Sequence, residues 1–448
     1  MNKKISRMQA LMTAVGIMIG VGIYFKADDI MSAVKGNFGL AMFIWTIICI
    51  GFIFAGIAAA AIAQHVNPEG GIVGYYEEYF GKKASFIVGW IEGCMYVPIL
   101  VSVLANVVIK YFLTLMDWQV SSVIHIAMAA CLVLLATFWN YLSTKLSTLI
   151  SVSATYLKII PLIIICILGF MYGNPQGISL SQAGQQAMTT TSFLAPFIAI
   201  AFMFDGWINI GSMAVDMKDP KKDLPIVYVA SLVITCAVYV LYFIGVNLLM
   251  DGQTIIGYGD DYLDVIATQF FGETGAKLIL IFVIISGIGT MNGMFMSGNR
   301  YIEKLADDNL MFCSNFFKKR TKHDTPLNAS LFTLTMTMVG LILILLQQFE
   351  VPFLKGILLE NAVVAVNSVI LGVVFIINFR LFKNKQLGLF KGIIAPIVSM
   401  IFVALIFFSY IFTSENILNS ILSIVVIIVI GIIGLIINHK ELFVKKLR

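Results

Sequence analysis

Long apolar runs follow one another along this chain, separated by short polar stretches. A run of about 20 such residues crosses the hydrocarbon core of a bilayer as an α-helix. The pattern predicts twelve membrane helices, at 8–27, 39–63, 84–114, 122–140, 147–172, 192–216, 226–250, 275–305, 327–348, 354–380, 390–412 and 417–438, called segments 1 to 12 below. No separate soluble domain is left over. The expected fold class is an all-α integral membrane protein, a single polytopic domain.

Two segments contain residues unsuited to an unbroken membrane helix. Segment 1 holds Gly16-Ile17-Met18-Ile19-Gly20-Val21-Gly22-Ile23-Tyr24. Segment 6 holds Phe202-Met203-Phe204-Asp205-Gly206-Trp207. A glycine lowers helix stability by about 1 kcal/mol relative to alanine. An aspartate at the midplane costs about 2.5–3.5 kcal/mol on insertion scales. Paired interruptions five segments apart predict two broken helices in an internally repeated transporter, with the substrate at the breaks. Segments 1–5 (about 8–172) and 6–10 (about 192–380) then form two five-helix halves, and segments 11 and 12 (about 390–438) stand outside them. An odd number of helices per half makes one half inverted relative to the other.

Charge placement sets the expected orientation. Lys3, Lys4 and Arg7 precede segment 1. The even-numbered connections carry Lys82 and Lys83, Lys145, Lys218, Lys221 and Lys222, then Arg300 through Lys322 and Arg380 through Lys391. Lys440, Lys445, Lys446 and Arg448 follow segment 12, whereas the opposite side holds only Lys26, Lys35, Lys110, Lys277 and Lys355. Both termini are therefore expected on the cytoplasmic side of the cell membrane. The chain is 60% hydrophobic and 12% charged, and its net charge of +5 reflects this bias. No basic domain is present to bind nucleic acid, so the expected partners are the lipid bilayer and a small molecule. Segment 1 has no small-residue cleavage site and runs past a signal-peptide core, so it reads as a membrane helix.

Cys49, Cys94, Cys131, Cys166 and Cys236 fall inside predicted helices, and Cys313 falls in a cytoplasmic loop. No structural disulfide is expected. His65, His125, His323 and His439 lie at or beyond membrane edges, a poor set for a metal site. No nucleotide loop or metal-ligand cluster is visible, so no cofactor or metal is expected. The two longest outer connections, 173–191 and 251–274, read as loops, the second one acidic.

Unwinding a helix in a bilayer releases backbone N–H and C=O groups that need partners. An amino acid zwitterion supplies both kinds. Its carboxylate would accept from the amides around Gly20, Val21 and Gly22, at the positive end of the outer half-helix. Its ammonium would donate to carbonyls at the second break. The alternative is that Gly16 and Gly20 form a small-residue packing face. Asp205 reads either as an N-cap for the half-helix restarting at Gly206 or as a ligand for the ammonium. Phe202 is a candidate gate over the substrate or an ordinary apolar residue. Lys158 is the lone lysine deep inside a predicted helix, with no route to either surface. It must pair or lose its proton. Ser286 and Thr290, four apart on one face of segment 8, are candidate partners. Glu92 is the other buried acid and reads as a structural or protonated carboxyl. The candidate substrate set is thus Gly16, Met18, Ile19, Gly20, Val21, Gly22, Phe202, Met203, Phe204, Asp205, Gly206 and Trp207, with Lys158, Ser286 and Thr290 as a coupling set.

Several motifs in order resemble the amino acid–polyamine–organocation superfamily, and within it the L-type amino acid transporters and bacterial serine/threonine exchangers. They are Gly16 to Tyr24, Pro68-Glu69-Gly70-Gly71 with Tyr75, Trp90-Ile91-Glu92, and Lys158-Ile159-Ile160-Pro161. Phe204-Asp205-Gly206-Trp207, Met217-Lys218-Asp219-Pro220, Leu224-Pro225, and Asn292-Gly293 with Arg300 complete the series. The resemblance implies twelve helices, two inverted five-helix repeats and sodium-independent amino acid transport. It also implies that the Lys158 ammonium occupies the region where sodium-coupled relatives hold their ion, bridging segment 1 near Gly16 to Ser286, where it offers a proton-linked switch. Two features depart from the family. Val21 stands where Ser or Ala is usual, which narrows the pocket. The loop around Met116-Asp117-Trp118-Gln119 lacks the cysteine of heteromeric animal members, so no disulfide-linked accessory chain is expected.

The expected function is transport of neutral amino acids by alternating access, as an exchanger or a proton-linked importer. A cationic amino acid or polyamine antiporter is the first rival; it needs more negative or aromatic groups than Asp205 and Glu92. A membrane enzyme is disfavoured, because no Ser-His-Asp set, Cys-His pair or metal cluster lies inside a helix. A transport-dead sensor or subunit is the third.

Overall fold

The computed structural model describes residues 5–178, 189–323, 325–351, 354, 359–413 and 417–438. Part of the outer connection 173–191, His439, and the orienting charges Lys3, Lys4, Lys355, Lys440, Lys445, Lys446 and Arg448 lie outside these residues. The described chain is helical, and its one backbone pairing of β type is an isolated bridge between Ile5 and Met217. Eleven helical stretches among the described residues are long and apolar enough to span a bilayer. They correspond to segments 2 to 12. Segment 1 is missing from that set because it is split into Arg7–Met18, Gly22–Phe25 and Ala27–Ala33.

Local chemistry sets the helix starts. Ser6 and Gln9 close a reciprocal cap ahead of segment 1: the Ser6 amide donates to Gln9 Oε1 at 2.9 Å and the Gln9 amide to Ser6 Oγ at 3.3 Å. Asn37 accepts from the Leu40 amide at 2.9 Å and starts segment 2, Phe38–His65. Segment 3 is not a uniform helix. Lys82–Ile91 and Val97–Leu115 are joined by a π-helical turn, Glu92–Tyr96.

The 251–274 connection is largely helical, which corrects its reading as a loop. Asp251 accepts from the Gln253 and Thr254 amides and starts a short helix, Gly252–Tyr258. The long helix of segment 8 begins at Tyr262, well before 275, and kinks at Gly272, whose φ is +67°. Polar capping and acidic residues there mark helix ends in the interface, and their composition resembles that of a loop.

Segment 8 packs along segments 3 and 5, and segment 7, Pro220–Leu249, packs along segments 2 and 5. Burial separates centre from periphery: the apolar span of segment 6 is 72% buried and that of segment 12, Ile417–Ile437, is 28% buried. The exposed side of segment 12 is an unbroken apolar surface suited to lipid.

A charged layer closes the side that holds the N-terminus. The Arg300 side chain, 6% exposed, pairs with Asp216 at 2.6 Å and Glu303 at 2.5 Å. Arg320 joins Glu303 at 2.7 Å, and Lys304 pairs with Glu77 at 2.9 Å and Asp308 at 2.8 Å. Arg7 reaches Asp223 at 2.6 Å, while the Ile5 amide donates to the Asp216 carbonyl at 3.0 Å. Removing one member of a buried ion pair strands its partner, at about 3–5 kcal/mol. Arg300→Met is therefore expected to lower the unfolding midpoint of the purified protein sharply, and an unchanged melting curve would show that Asp216 is solvated without it, Glu303 keeping Arg320.

Candidate functional site

The first break lies where the glycines predict it. Helix Arg7–Met18 stops at Ile19, whose φ and ψ are −71° and 83°. The Gly20 amide turns back to the Met18 carbonyl at 2.7 Å, and helix resumes at Gly22. The carbonyls of Gly16, Met18 and Ile19 released here find donors. Lys158 Nζ donates to Gly16 O at 2.7 Å and Ile19 O at 2.6 Å. It also meets Ser286 O at 3.3 Å and Thr290 Oγ1 at 3.1 Å. The side chain is fully buried. Four acceptors around three ammonium protons give a buried cation what water would otherwise supply. Ser286 contributes its backbone carbonyl to the lysine, while its hydroxyl lies 3.4 Å from Ile19 O. Tyr24 closes the ring from the other side by donating to Lys158 O at 2.5 Å.

Gly16 plays a packing part as well. A Cβ there would lie 2.0 Å from Thr155 Oγ1, one turn before Lys158 in segment 5, Thr144–Tyr172. The close approach lets Lys158 reach the break. Gly20 is different: the atom nearest to a Cβ would be Thr290 Oγ1, at 3.3 Å. The two glycines therefore do not share one packing face.

The second break follows helix Thr190–Phe204. Asp205 is extended and Gly206 takes φ +80°, a conformation that side chains disfavour. The chain restarts as a 3₁₀ helix, Asn209–Asp216, after an uncapped Ile208. Asp205 is thus not the N-cap of the restarting helix. Its Oδ1 accepts from the Tyr96 hydroxyl of segment 3 at 2.7 Å, and its Oδ2 has no partner. Tyr239 of segment 7 joins the two breaks, with its hydroxyl 2.7 Å from Met18 O and 3.0 Å from Met203 O.

A cavity of about 30 Å³ lies between the breaks, room for one or two water molecules. Met18, Gly20, Val21, Gly22, Phe202, Met203, Asp205 and Thr290 line it. Gly16 and Ile19 turn their carbonyls to Lys158 instead. Phe204 faces away, stacked 4.4 Å from Phe52. Gly206 backs onto Ile17 and Met294. Trp207 lies against Tyr228 and lines a second small cavity toward segments 2, 10 and 11, which Asp205 also touches. Ile17, Leu100, Leu104 and Met294 also line the first cavity, beyond the residues the sequence marks. Leu100 and Leu104 are four apart in segment 3, a spacing common among the apolar residues of the long helices. Val21 rests beside Gly287, where a Cβ would come within 3.0 Å of it.

An all-helical membrane protein whose two broken helices face each other across an internal cavity falls in the class of broken-helix transporters. Its residues 5–435 match the Amino acid permease family, and the chain belongs to that family. It is similar to the serine/threonine exchanger SteT of Bacillus subtilis (strain 168), 26% identical over 346 residues that cover 77% of each chain. The human cystine/glutamate transporter is 22% identical over 305 residues, which cover 65% of this chain and 59% of the relative. The mouse Asc-type amino acid transporter 1 is 25% identical over 315 residues, 67% of this chain and 57% of the relative.

Proposed function

We propose that the protein carries neutral amino acids across the cytoplasmic membrane by alternating access, without sodium, as an exchanger or a proton-linked importer. The observation that carries this reading is the Lys158 ammonium held on the carbonyls of Gly16, Ile19 and Ser286. A fixed cation in that place ties segments 1, 5 and 8 together and leaves no need for a metal ion. The substrate carboxylate would meet the amides of Gly20, Val21 and Gly22, that of Gly20 on leaving the Met18 carbonyl. Its ammonium would meet carbonyls at the second break.

A neutral side chain suits the cavity better than a cationic one. The lining is apolar apart from Thr290 and Asp205, and Asp205 is already engaged by Tyr96. The halves 8–172 and 192–380 would form the inverted repeat, with the charged layer on the cytoplasmic side and both termini there. No disulfide-linked accessory chain is required.

Uptake of labelled serine, alanine, leucine, arginine and putrescine into proteoliposomes, with and without internal amino acid and with sodium replaced by choline, tests the proposal. Sodium-independent uptake of the neutral set supports it. Uptake confined to arginine and putrescine would favour the cationic reading, and no uptake of any would end the transport reading.

Two side chains set finer expectations. Val21→Ala removes bulk from the cavity wall and is expected to shift preference toward larger neutral side chains, read as relative inhibition by alanine and leucine. Phe202, half-buried at the cavity edge, lies against Gly22, where a Cβ would be 3.6 Å from its ring. Phe202→Ala is expected to cut transport about tenfold, some 1.4 kcal/mol of closure, at normal protein yield. Full transport would return Phe202 to ordinary packing.

A further inference from the structure

Glu92 is fully buried, and neither of its carboxyl oxygens has a hydrogen-bond partner. No other buried carboxyl among the described residues is left with both oxygens unpartnered. It stands on the π-helical turn Glu92–Tyr96 of segment 3, a kind of irregularity that concentrates at functional sites. Tyr96, at the end of the same turn, donates to Asp205 at 2.7 Å. Asp205 borders the cavity and keeps one oxygen free. The turn also presses on segment 8, where a Cβ on Gly93 would lie 2.5 Å from Ile302. Glu92 therefore sits beside the site, between the cavity and the charged layer that begins at Arg300.

The ionisable groups that interact electrostatically with Glu92 are Asp205, Tyr76, Tyr96 and Tyr301, none of them a cation. Cys94 shares its turn. Segment 8, which packs on the turn, also carries Arg300 and Lys304, and both are held in the ion pairs of the charged layer. Segment 9, Leu327–Gln348, also packs here and has no ionisable side chain. In segment 10 the acid is Glu360, ten residues from Ile370, whose carbonyl takes the Tyr76 hydroxyl, or about 15 Å along the helix. Lys82 and Lys83 lie at the start of segment 3, about as far away. An ionised carboxylate without a donor is costly in such surroundings, and two neighbouring ones without a cation are costlier. Binding a proton removes the cost. Lys158 is the opposite case: four acceptors surround its ammonium.

We propose that Glu92 is a proton-binding site, and that the Glu92–Asp205 carboxyl pair carries one proton for each amino acid moved. The proton comes from water on one side of the membrane, is held as a carboxyl O–H, and is released to water on the other side; no other bond changes. The proposal rests on the amino acid transport reading above and moves the proton-linked step from Lys158 to Glu92.

Proteoliposomes without internal amino acid, with a lumenal pH dye and an inside-alkaline gradient, provide the test. The wild-type protein is expected to accumulate a neutral amino acid, such as serine or alanine, up to about tenfold for each unit of pH difference, and to acidify the lumen as it does so. Glu92→Gln is expected to do neither. Wild-type protein that exchanges amino acids in preloaded vesicles but gains nothing from the gradient overturns the proton site and leaves the transport reading standing. So does Glu92→Gln accumulating like wild type. Accumulation that needs sodium or potassium overturns it too, by assigning the carboxyls to a metal cation. Absence of exchange in preloaded vesicles ends the transport reading, and this proposal with it. Should Glu92→Gln fail to purify, Glu92→Asp keeps a carboxyl at a shorter reach. A displaced pH profile of coupled uptake then supports the site, and an identical profile overturns it.

Discussion

Replacing Lys158 with alanine is expected to stop amino acid transport in a protein that still inserts, purifies and melts cooperatively. The ammonium is the shared donor for Gly16 O, Ile19 O and Ser286 O. Its loss leaves carbonyls of segments 1 and 8 without that donor, at about 1–3 kcal/mol for each one left unsatisfied. The Thr290 hydroxyl can serve only one of them at a time. The arrangement that holds segment 1 against segments 5 and 8 is then no longer favoured. Alternating access depends on the balance between two such arrangements. A fall of about a hundredfold in turnover corresponds to about 2.7 kcal/mol in that balance. Lys158→Arg is expected to fail in part, because a planar guanidinium does not fit a pocket built around a point charge. Sodium alone should restore neither variant. Transport by Lys158→Ala at the wild-type rate and with the wild-type pH profile would show that the lysine is a tolerated polar residue.

Gly20→Leu is expected to abolish substrate binding, whereas Gly20→Ala should weaken it only modestly. A Cβ at Gly20 would stand 3.3 Å from Thr290 Oγ1 and 3.4 Å from its Cγ2, tight but short of a clash. A methyl group therefore asks Thr290 to yield by a few tenths of an ångström. The three further carbons of leucine have nowhere to go except the cavity, whose volume is about 30 Å³. They would also cover the amides proposed to receive the substrate carboxylate. Equilibrium binding of a labelled neutral amino acid to each purified variant separates the cases, with thermal melting as the check on folding. Unchanged affinity in Gly20→Leu would remove the substrate from segment 1.

The sequence carries the fold because membrane helices are written as long apolar runs, and it carries the breaks because Gly20, Gly22, Asp205 and Gly206 are out of place in such runs. Lys158 is legible for the same reason, as a charge with no exit. What it does not carry is the direction in which apolar residues point. Leu100, Leu104, Ile17 and Met294 line the cavity, yet nothing in their identity separates them from the many apolar residues, leucines and isoleucines above all, that are exposed on the outside. The role of Asp205 is not legible in the sequence because its partner, Tyr96, is 109 positions away. Spacing alone groups Gly16 with Gly20, although one faces Thr155 and the other Thr290. The π-helical turn at Glu92 leaves no mark in composition, since it depends on one extra residue being accommodated between packed neighbours.

Tyr239 has a single hydroxyl proton and two carbonyls in reach, Met18 O on one broken helix and Met203 O on the other. The two carbonyls compete for one donor. As long as the breaks stay together the proton can pass between them, and neither is stranded for long. Any motion that draws the breaks apart by more than a hydrogen-bond length takes the phenol from one of them; Met18 O would then keep the Gly20 amide alone, or Met203 O would lose the phenol. Segments 1 and 6 thus behave as yoked parts: tilting in concert keeps the bond, and separating forfeits it. A single phenol on segment 7 gives the molecule a reason to rock its two broken helices as one body.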